Sequence, residues 1–297
     1  MAENSGIEWT THTFNPWIGC TKISPACDNC YAEAWDARGL QGGASRWGPH
    51  AARTRTKTWG NPVKWNREAE GAKERPRVFC ASLADVGDNH PSILPEWRDD
   101  LWALIRATPN LDWLLLTKRP QNLAKYLPAD WGDGYANVWL GTTVENQTEA
   151  NRRIPHLLAI PAAIRFLSCE PLLGPVDLSV AWHGESALDS ECWGDCAWCD
   201  GGFPALHNCQ KGKQSEFVWN KGRSGLDWVI TGGENARGFR PADPDWFREL
   251  RDQCADAGVP FLFKQWEGPS QKAIKALGRQ LDGVVHDGYP AARGGVL

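Results

Sequence analysis

Hydrophobic residues in this chain come in short unbroken runs, each followed by a stretch whose apolar positions recur at helical spacing. Arg77–Ala81 precedes an amphipathic stretch from Pro95 to Ala107, Asp112–Thr117 precedes Pro120–Tyr126, and Val138–Thr142 precedes Gln147–Leu158. Ile164–Ser168, Trp228–Thr231 and Pro260–Lys264 continue the series, with a helical stretch from Asp243 to Ala257 between the last two. Runs that are apolar throughout, rather than alternating, predict strands buried on both faces of a parallel sheet. Their alternation with helices predicts right-handed βαβ crossovers. Adding a strand near Thr13–Ile18 gives six to seven parallel strands, in a doubly wound sheet or an incomplete barrel. Two long gaps break the rhythm, one between Tyr31 and Val78 and one between Val176 and Leu226.

Polar residues gather just after the runs: Ser82 and Asp85, then Thr117-Lys118-Arg119, Thr142-Thr143-Val144-Glu145-Asn146, Ser168-Cys169-Glu170, Gly232-Gly233-Glu234-Asn235 and Lys264-Gln265. In parallel α/β architectures the C-terminal ends of the strands form the active face. Any one of these groups also reads as a helix cap, but together they mark one rim as the expected site.

A net charge of −4 excludes a polycation that would bind nucleic acid as a whole, so such binding would need a local patch. Neither a basic-then-apolar leader nor an apolar stretch of about 18 residues occurs. The expectation is therefore a cytoplasmic protein without a membrane partner. In that compartment a disulfide framework is not expected, yet the chain has ten cysteines. Seven of them fall in two clusters, Cys20/Cys27/Cys30 and Cys192/Cys196/Cys199/Cys209. Clustered thiols in a reducing cell point to metal. The 18 tryptophans against one methionine are unusual and carry no function by themselves.

The first cluster, C-x6-C-x2-C, follows the expected first strand. Three thiolates on one loop suit three irons of a [4Fe–4S] cluster and leave the fourth iron open. An open iron can chelate the amino and carboxylate groups of S-adenosylmethionine (SAM), and one electron then breaks the sulfonium C–S bond to give a 5′-deoxyadenosyl radical. Structural zinc would need a fourth ligand, for which His12 and Asp28 are the candidates. Cys192, Cys196, Cys199 and Cys209 lie in a Gly-rich insertion poor in apolar residues. A metal staple, zinc or an auxiliary iron–sulfur cluster, would order such a segment.

Ile7-Glu8-Trp9-Thr10, Phe14-Asn15-Pro16-Trp17-Ile18-Gly19-Cys20, Ser24-Pro25 and Cys27-x-x-Cys30-Tyr31-Ala32 resemble a phage-associated family of three-cysteine proteins, the DUF5131 type, related to the radical-SAM superfamily. The resemblance continues through Leu116-Thr117-Lys118-Arg119-Pro120, Gly141-Thr142-Thr143-Val144-Glu145-Asn146, Ser168-Cys169-Glu170-Pro171-Leu172-Leu173-Gly174 and Thr231-Gly232-Gly233-Glu234. It implies a partial (β/α) barrel over residues 1–284, with a basic insertion at about 40–76, the four-cysteine insertion at about 182–224 and a tail from 285 to 297. It also implies SAM and a nucleotide or nucleic-acid substrate, with an electron donor such as flavodoxin or ferredoxin. Two departures stand out. The superfamily loop is C-x3-C-x2-C with an aromatic before the last cysteine, where this chain has Asn29. The superfamily's Gly-Gly-Glu follows the second strand, whereas Gly232-Gly233-Glu234 comes late, so its role is not carried over.

On that resemblance Thr142, Thr143, Glu145 and Asn146 are expected to meet the ribose and methionyl parts of SAM, with Lys118 or Arg119 on the methionyl carboxylate. Cys80 and Cys169, at strand ends, are candidate hydrogen-atom donors to a product radical, with Glu170 a further candidate catalytic group. The plainer reading of an isolated cysteine is a small buried apolar residue. Between Ala51 and Arg67 the bases Arg53, Arg55, Lys57, Lys64 and Arg67 occur without an acid, interleaved with Trp59 and Trp65. Arg53, Arg55, Lys57 and Trp59 are the candidates for a phosphate backbone and a stacked base. The expected function is a radical-SAM enzyme. The alternative is a non-catalytic zinc protein that binds nucleic acid through the basic loop.

Overall fold

The computed structural model describes residues 3–39, 43–179, 186–188 and 225–291. Cys192, Cys196, Cys199 and Cys209, and with them the question of zinc or a second cluster, lie outside the described residues. Within them, seven strands form one parallel sheet in sequence order: β1 (His12–Thr13), β2 (Arg77–Cys80), β3 (Asp112–Thr117), β4 (Val138–Thr143), β5 (Ile164–Cys169), β6 (Trp228–Gly232) and β7 (Phe261–Gln265). Strand order that never reverses makes this a barrel progression rather than a doubly wound sheet. β1 and β7 are not paired, so the barrel is partial. The expected first strand is shorter than its apolar pattern: Trp17–Ile18 leaves the sheet and pairs antiparallel with Thr54–Arg55.

Six helices belong to the described residues: α1 (Tyr31–Gly39), α2 (Gly60–Glu68), α3 (Pro95–Arg106), α4 (Gln147–Leu158), α5 (Pro244–Asp256) and α6 (Gln271–Leu277). Their starts are chemically marked. Pro95 and Pro244 occupy the first turn, where no N–H is needed. Asn146, Asp243 and Ser270 cap α4, α5 and α6 by accepting from backbone N–H groups two or three residues on. None of the described helices is long and apolar enough to cross a membrane.

Residue parity along the strands creates two cores. Val78, Cys80, Trp113, Leu115, Leu140, Leu167, Cys169 and Val229 face outward and pack with Ile105 of α3, Ile154 of α4 and Phe247 of α5. Phe79, Leu114, Trp139, Ile164, Phe166, Trp228, Ile230 and Leu262 face inward and pack with Trp9. Trp9 sits 4.7 Å from Phe79, and Trp228 meets Trp139 edge-on at 5.9 Å. Several of the chain's tryptophans are thus barrel filling.

Residues 286–289, expected within a tail, are bound to the sheet. Phe263 N donates to His286 O at 3.0 Å and Gly288 N to Phe261 O at 2.9 Å. Tyr289 donates its hydroxyl to Glu8 O at 3.0 Å, and its ring lies tilted 5.1 Å from that of Trp228. This segment joins the two unpaired sides of the barrel at the strand N-termini.

Gly141 faces inward opposite Phe166, whose ring carbons lie 2.3–2.5 Å from where a Cβ would be. Gly141→Ala should destabilise the fold by about 1–3 kcal/mol through overpacking, read from urea unfolding. Adding Phe166→Leu should restore part of that loss; additive losses in the double variant would refute the contact.

Candidate active site

Above the aromatic filling the barrel is hollow. A cavity of about 620 Å³ opens at the strand C-termini, lined by Cys20, Cys27 and Cys30 on one side and by Lys118, Thr143, Ser168, Glu170 and Lys264 on another. Phe79, Trp9 and Leu116 line its lower part. The expected convergence of strand ends and the first cysteine loop on one rim is present.

The loop has one 3-10 turn, Pro25–Cys27, as its regular structure, and its polar groups are met by side chains from distant strands. Arg119, after β3, donates to Thr21 O at 2.7 Å and to Cys20 Sγ at 3.5 Å while paired with Asp85 at 2.8 Å. Asp85 also accepts from Thr117 Oγ1, Gly87 N and Lys118 N. Glu145, after β4, accepts from Ala26 N at 3.4 Å and from Arg153 of α4 at 2.7 Å. Glu234, after β6, accepts from Asn29 Nδ2 at 2.9 Å and pairs with Arg240. Arg240 in turn donates to Pro25 O at 3.0 Å and to Asp28 at 3.2 Å. Tyr31 donates to Ser82 O at 2.7 Å.

This network revises several expected roles. Glu145 is fully buried and committed to Arg153 and the loop backbone, so it is a tether and not a ribose ligand. Asn146 caps α4, and Thr142 points outward and donates to Thr117 O at 2.8 Å. Of the β4 group, Thr143 lines the cavity. Arg119 is committed to Asp85 and Thr21, which leaves Lys118: its Nζ meets Thr143 Oγ1 at 3.2 Å, and no carboxylate pairs with it among the described residues.

Cys80 and Cys169 are corrected by parity. Because Phe79 and Ser168 point inward, both cysteines point outward into the helix-side core and are fully buried. Burial pushes both thiols well above their usual range. Neither can reach a radical in the cavity. Glu170 does line it, with Oε1 2.8 Å from Lys264 Nζ and Oε2 accepting from Ser168 at 3.2 Å.

In the basic segment Arg53 is buried, paired with Asp88 at 2.8 Å, and donates to Thr21 Oγ1 at 2.7 Å and to the carbonyls of Arg46, Gly48 and Ala51. Its donors hold the fold together and do not face solvent. Arg55 pairs with Asp100 at 2.7 Å and lies 4.2 Å over the Trp59 ring, whose Nε1 donates to Thr56 O. Lys57 is exposed. Trp65 is core and stacks on His12 at 4.3 Å, which takes His12 away from the cysteines. Sequence reasoning missed the roles of Arg240 and Asn29, for which the chain offers no local signal because Asn29 reaches Glu234 across 205 positions and Arg240 reaches Pro25 across 215.

Burial, and next Asp85, push the Cys20 thiol up to about 12. Metal loading there would release a proton. Among the described residues no group of three or more His, Cys, Asp or Glu is arranged to hold a metal ion. A tetrahedral ion needs its ligands gathered on one point, whereas in a cubane each thiolate binds its own iron. Burial raises the Glu234 carboxyl, but hydrogen bonds from Arg240 and Asn29 outweigh it and hold the group below its ordinary range.

A family model described as "Protein of unknown function (DUF5131)" matches residues 4–290. No curated protein and no solved structure matches the chain.

Glu145→Gln should cost about 3 kcal/mol, because it removes the nearer of two carboxylates that neutralise buried Arg153. Chemical unfolding measures this, and a change below about 1 kcal/mol would show that Glu149 alone suffices.

Proposed function

The chain belongs to the DUF5131 family, and from that membership and the cavity we propose that it is a radical SAM enzyme acting on a nucleotide or nucleic-acid base, in a phage context. The observation that carries this reading is the placing of Cys20, Cys27 and Cys30 along one wall of a cavity at the C-terminal ends of a parallel half-barrel. Soft thiolates on one loop suit an iron–sulfur cluster. Bound there, a [4Fe–4S] cluster with one open iron would supply the electron that cleaves the sulfonium of SAM.

The chain's own residues divide the remaining work. Arg119, Glu145, Glu234 and Arg240 hold the cysteine loop against the strand ends, so the thiolates are presented by a rigid support. Lys118, which no carboxylate pairs with among the described residues, is the candidate to take the methionyl carboxylate of SAM. The aromatic filling below gives the cavity an apolar floor. Flavodoxin or ferredoxin is the proposed electron donor in the cytoplasm of the host.

The nucleic-acid-binding zinc module finds less support. It relies on the basic segment, and there Arg53 is buried and Arg55 is paired.

Anaerobically reconstituted protein should be brown, hold about four irons at the first cysteine site, and release 5′-deoxyadenosine from SAM with a reductant. Cys27→Ala should abolish that release. Undiminished deoxyadenosine from the variant, or a colourless wild type that retains zinc alone, would reject the reading.

A further inference from the structure

Among the described residues, an ion pair in the cavity wall stands outside the loop network. Glu170, just after β5, and Lys264, on β7, meet at 2.8 Å across β6. They do so over Gly232, where a Cβ would lie 3.2 Å from Glu170 Oε1. The two side chains are 12% and 19% exposed, so they form a cavity wall and are not solvated surface. Ser168 donates to the other carboxylate oxygen. The same cavity is also lined by apolar residues from the first strands and the segment before them, Phe79, Leu116 and Trp9.

Such a wall selects among ligands. Lys264 is already neutralised, so a phosphate placed there would face the Glu170 carboxylate and would have to displace it. A neutral ligand with a hydrogen-bond donor and an acceptor side by side meets no such opposition. Its N–H can donate to Glu170 while its C=O or ring nitrogen accepts from Lys264. The aromatic and aliphatic floor favours a flat ring. A heterocycle with an adjacent N–H and C=O, or an amino group beside a ring nitrogen, fits both demands.

We propose that Glu170 and Lys264 are the recognition pair for a nucleobase, reading its hydrogen-bonding edge above the Phe79–Trp9 floor. This deepens the function proposed above and rests on it for nucleotide chemistry in this cavity, but the recognition itself needs no metal. A side chain at Gly232 would press on the pair, because its Cβ would lie 3.2 Å from Glu170 Oε1 and the carboxylate would have to shift.

The test is calorimetric titration of the full chain with guanosine, adenosine, cytidine and uridine, and with ribose 5-phosphate as the anionic control. At least one nucleoside should bind, and more tightly than ribose 5-phosphate, whose anion finds in this cavity Lys118 but not a free Lys264. Glu170→Gln and Lys264→Met should each weaken the bound nucleoside roughly tenfold to a hundredfold. The double variant, which leaves no lone buried charge, should keep its thermal unfolding profile and lose binding. Gly232→Ala supplies an independent perturbation that keeps both charges and should also weaken binding. Absence of binding by any nucleoside, tighter binding of ribose 5-phosphate, or unchanged nucleoside affinity in the double variant would overturn the proposal. Intact nucleoside binding without deoxyadenosine formation would count against the radical reading alone. Deoxyadenosine formation without nucleoside binding would count against the recognition pair alone.

Discussion

A loop with almost no regular structure cannot lie against a protein interior unless its backbone groups find partners. The Cys20–Cys30 segment meets this constraint by borrowing side chains from the ends of three strands and from the turn after β6. The partners lie 98 residues away for Arg119 and Thr21 and 205 residues away for Asn29 and Glu234. The loop therefore acquires its position when the sheet is assembled, and the three thiols inherit the spacing of the strand ends. This is why the polar groups after the strands occur together. Several of them are the mould in which the cysteine loop is cast.

The charges in that mould are costly to bury. Arg119–Asp85, Arg153–Glu145 and Arg240–Glu234 each place a guanidinium on a carboxylate that is almost inaccessible. Such pairs add little net stability over well-packed apolar residues. What they do is penalise displacement, because a loop that moved away would leave several ions uncompensated at once. If the loop holds the proposed cluster, whose ligands must be kept within a fraction of an ångström, it gains more from that penalty than from extra hydrophobic burial.

The strands were legible because their runs are apolar on both faces, and the partial barrel because the runs follow one another with helices between. The same property hid the orientation of Cys80 and Cys169. In a run buried on both sides, pattern does not say which parity faces the interior, and one residue decides between a cavity wall and a helix contact. Glu145 was misassigned for a related reason. A carboxylate after a strand looks like a ligand group, and the partner that claims it, Arg153, lies nearly two turns into the next helix, where it reads as surface charge. Arg53 looked like part of a basic patch because its counter-ion, Asp88, is 35 positions away. Cys20, Cys27 and Cys30 were legible as a group because their meaning lies in short spacing, and all three reach the cavity.

The interior layers show how the barrel changes from scaffold to vessel. Trp139 pairs in register with Ile164, then Gly141 with Phe166, then Thr143 with Ser168. Going up the strands, two bulky apolar residues give way to a glycine beneath an aromatic ring, and then to two small hydroxyl residues. The lower layers are filled to closure by large rigid rings, whose few rotatable bonds leave little freedom to collapse upward. The cavity persists because the layer above them, Thr143 and Ser168, is too small to fill its own space. Its depth is therefore set by the register of β4 on β5, and its chemistry by the residues one step beyond.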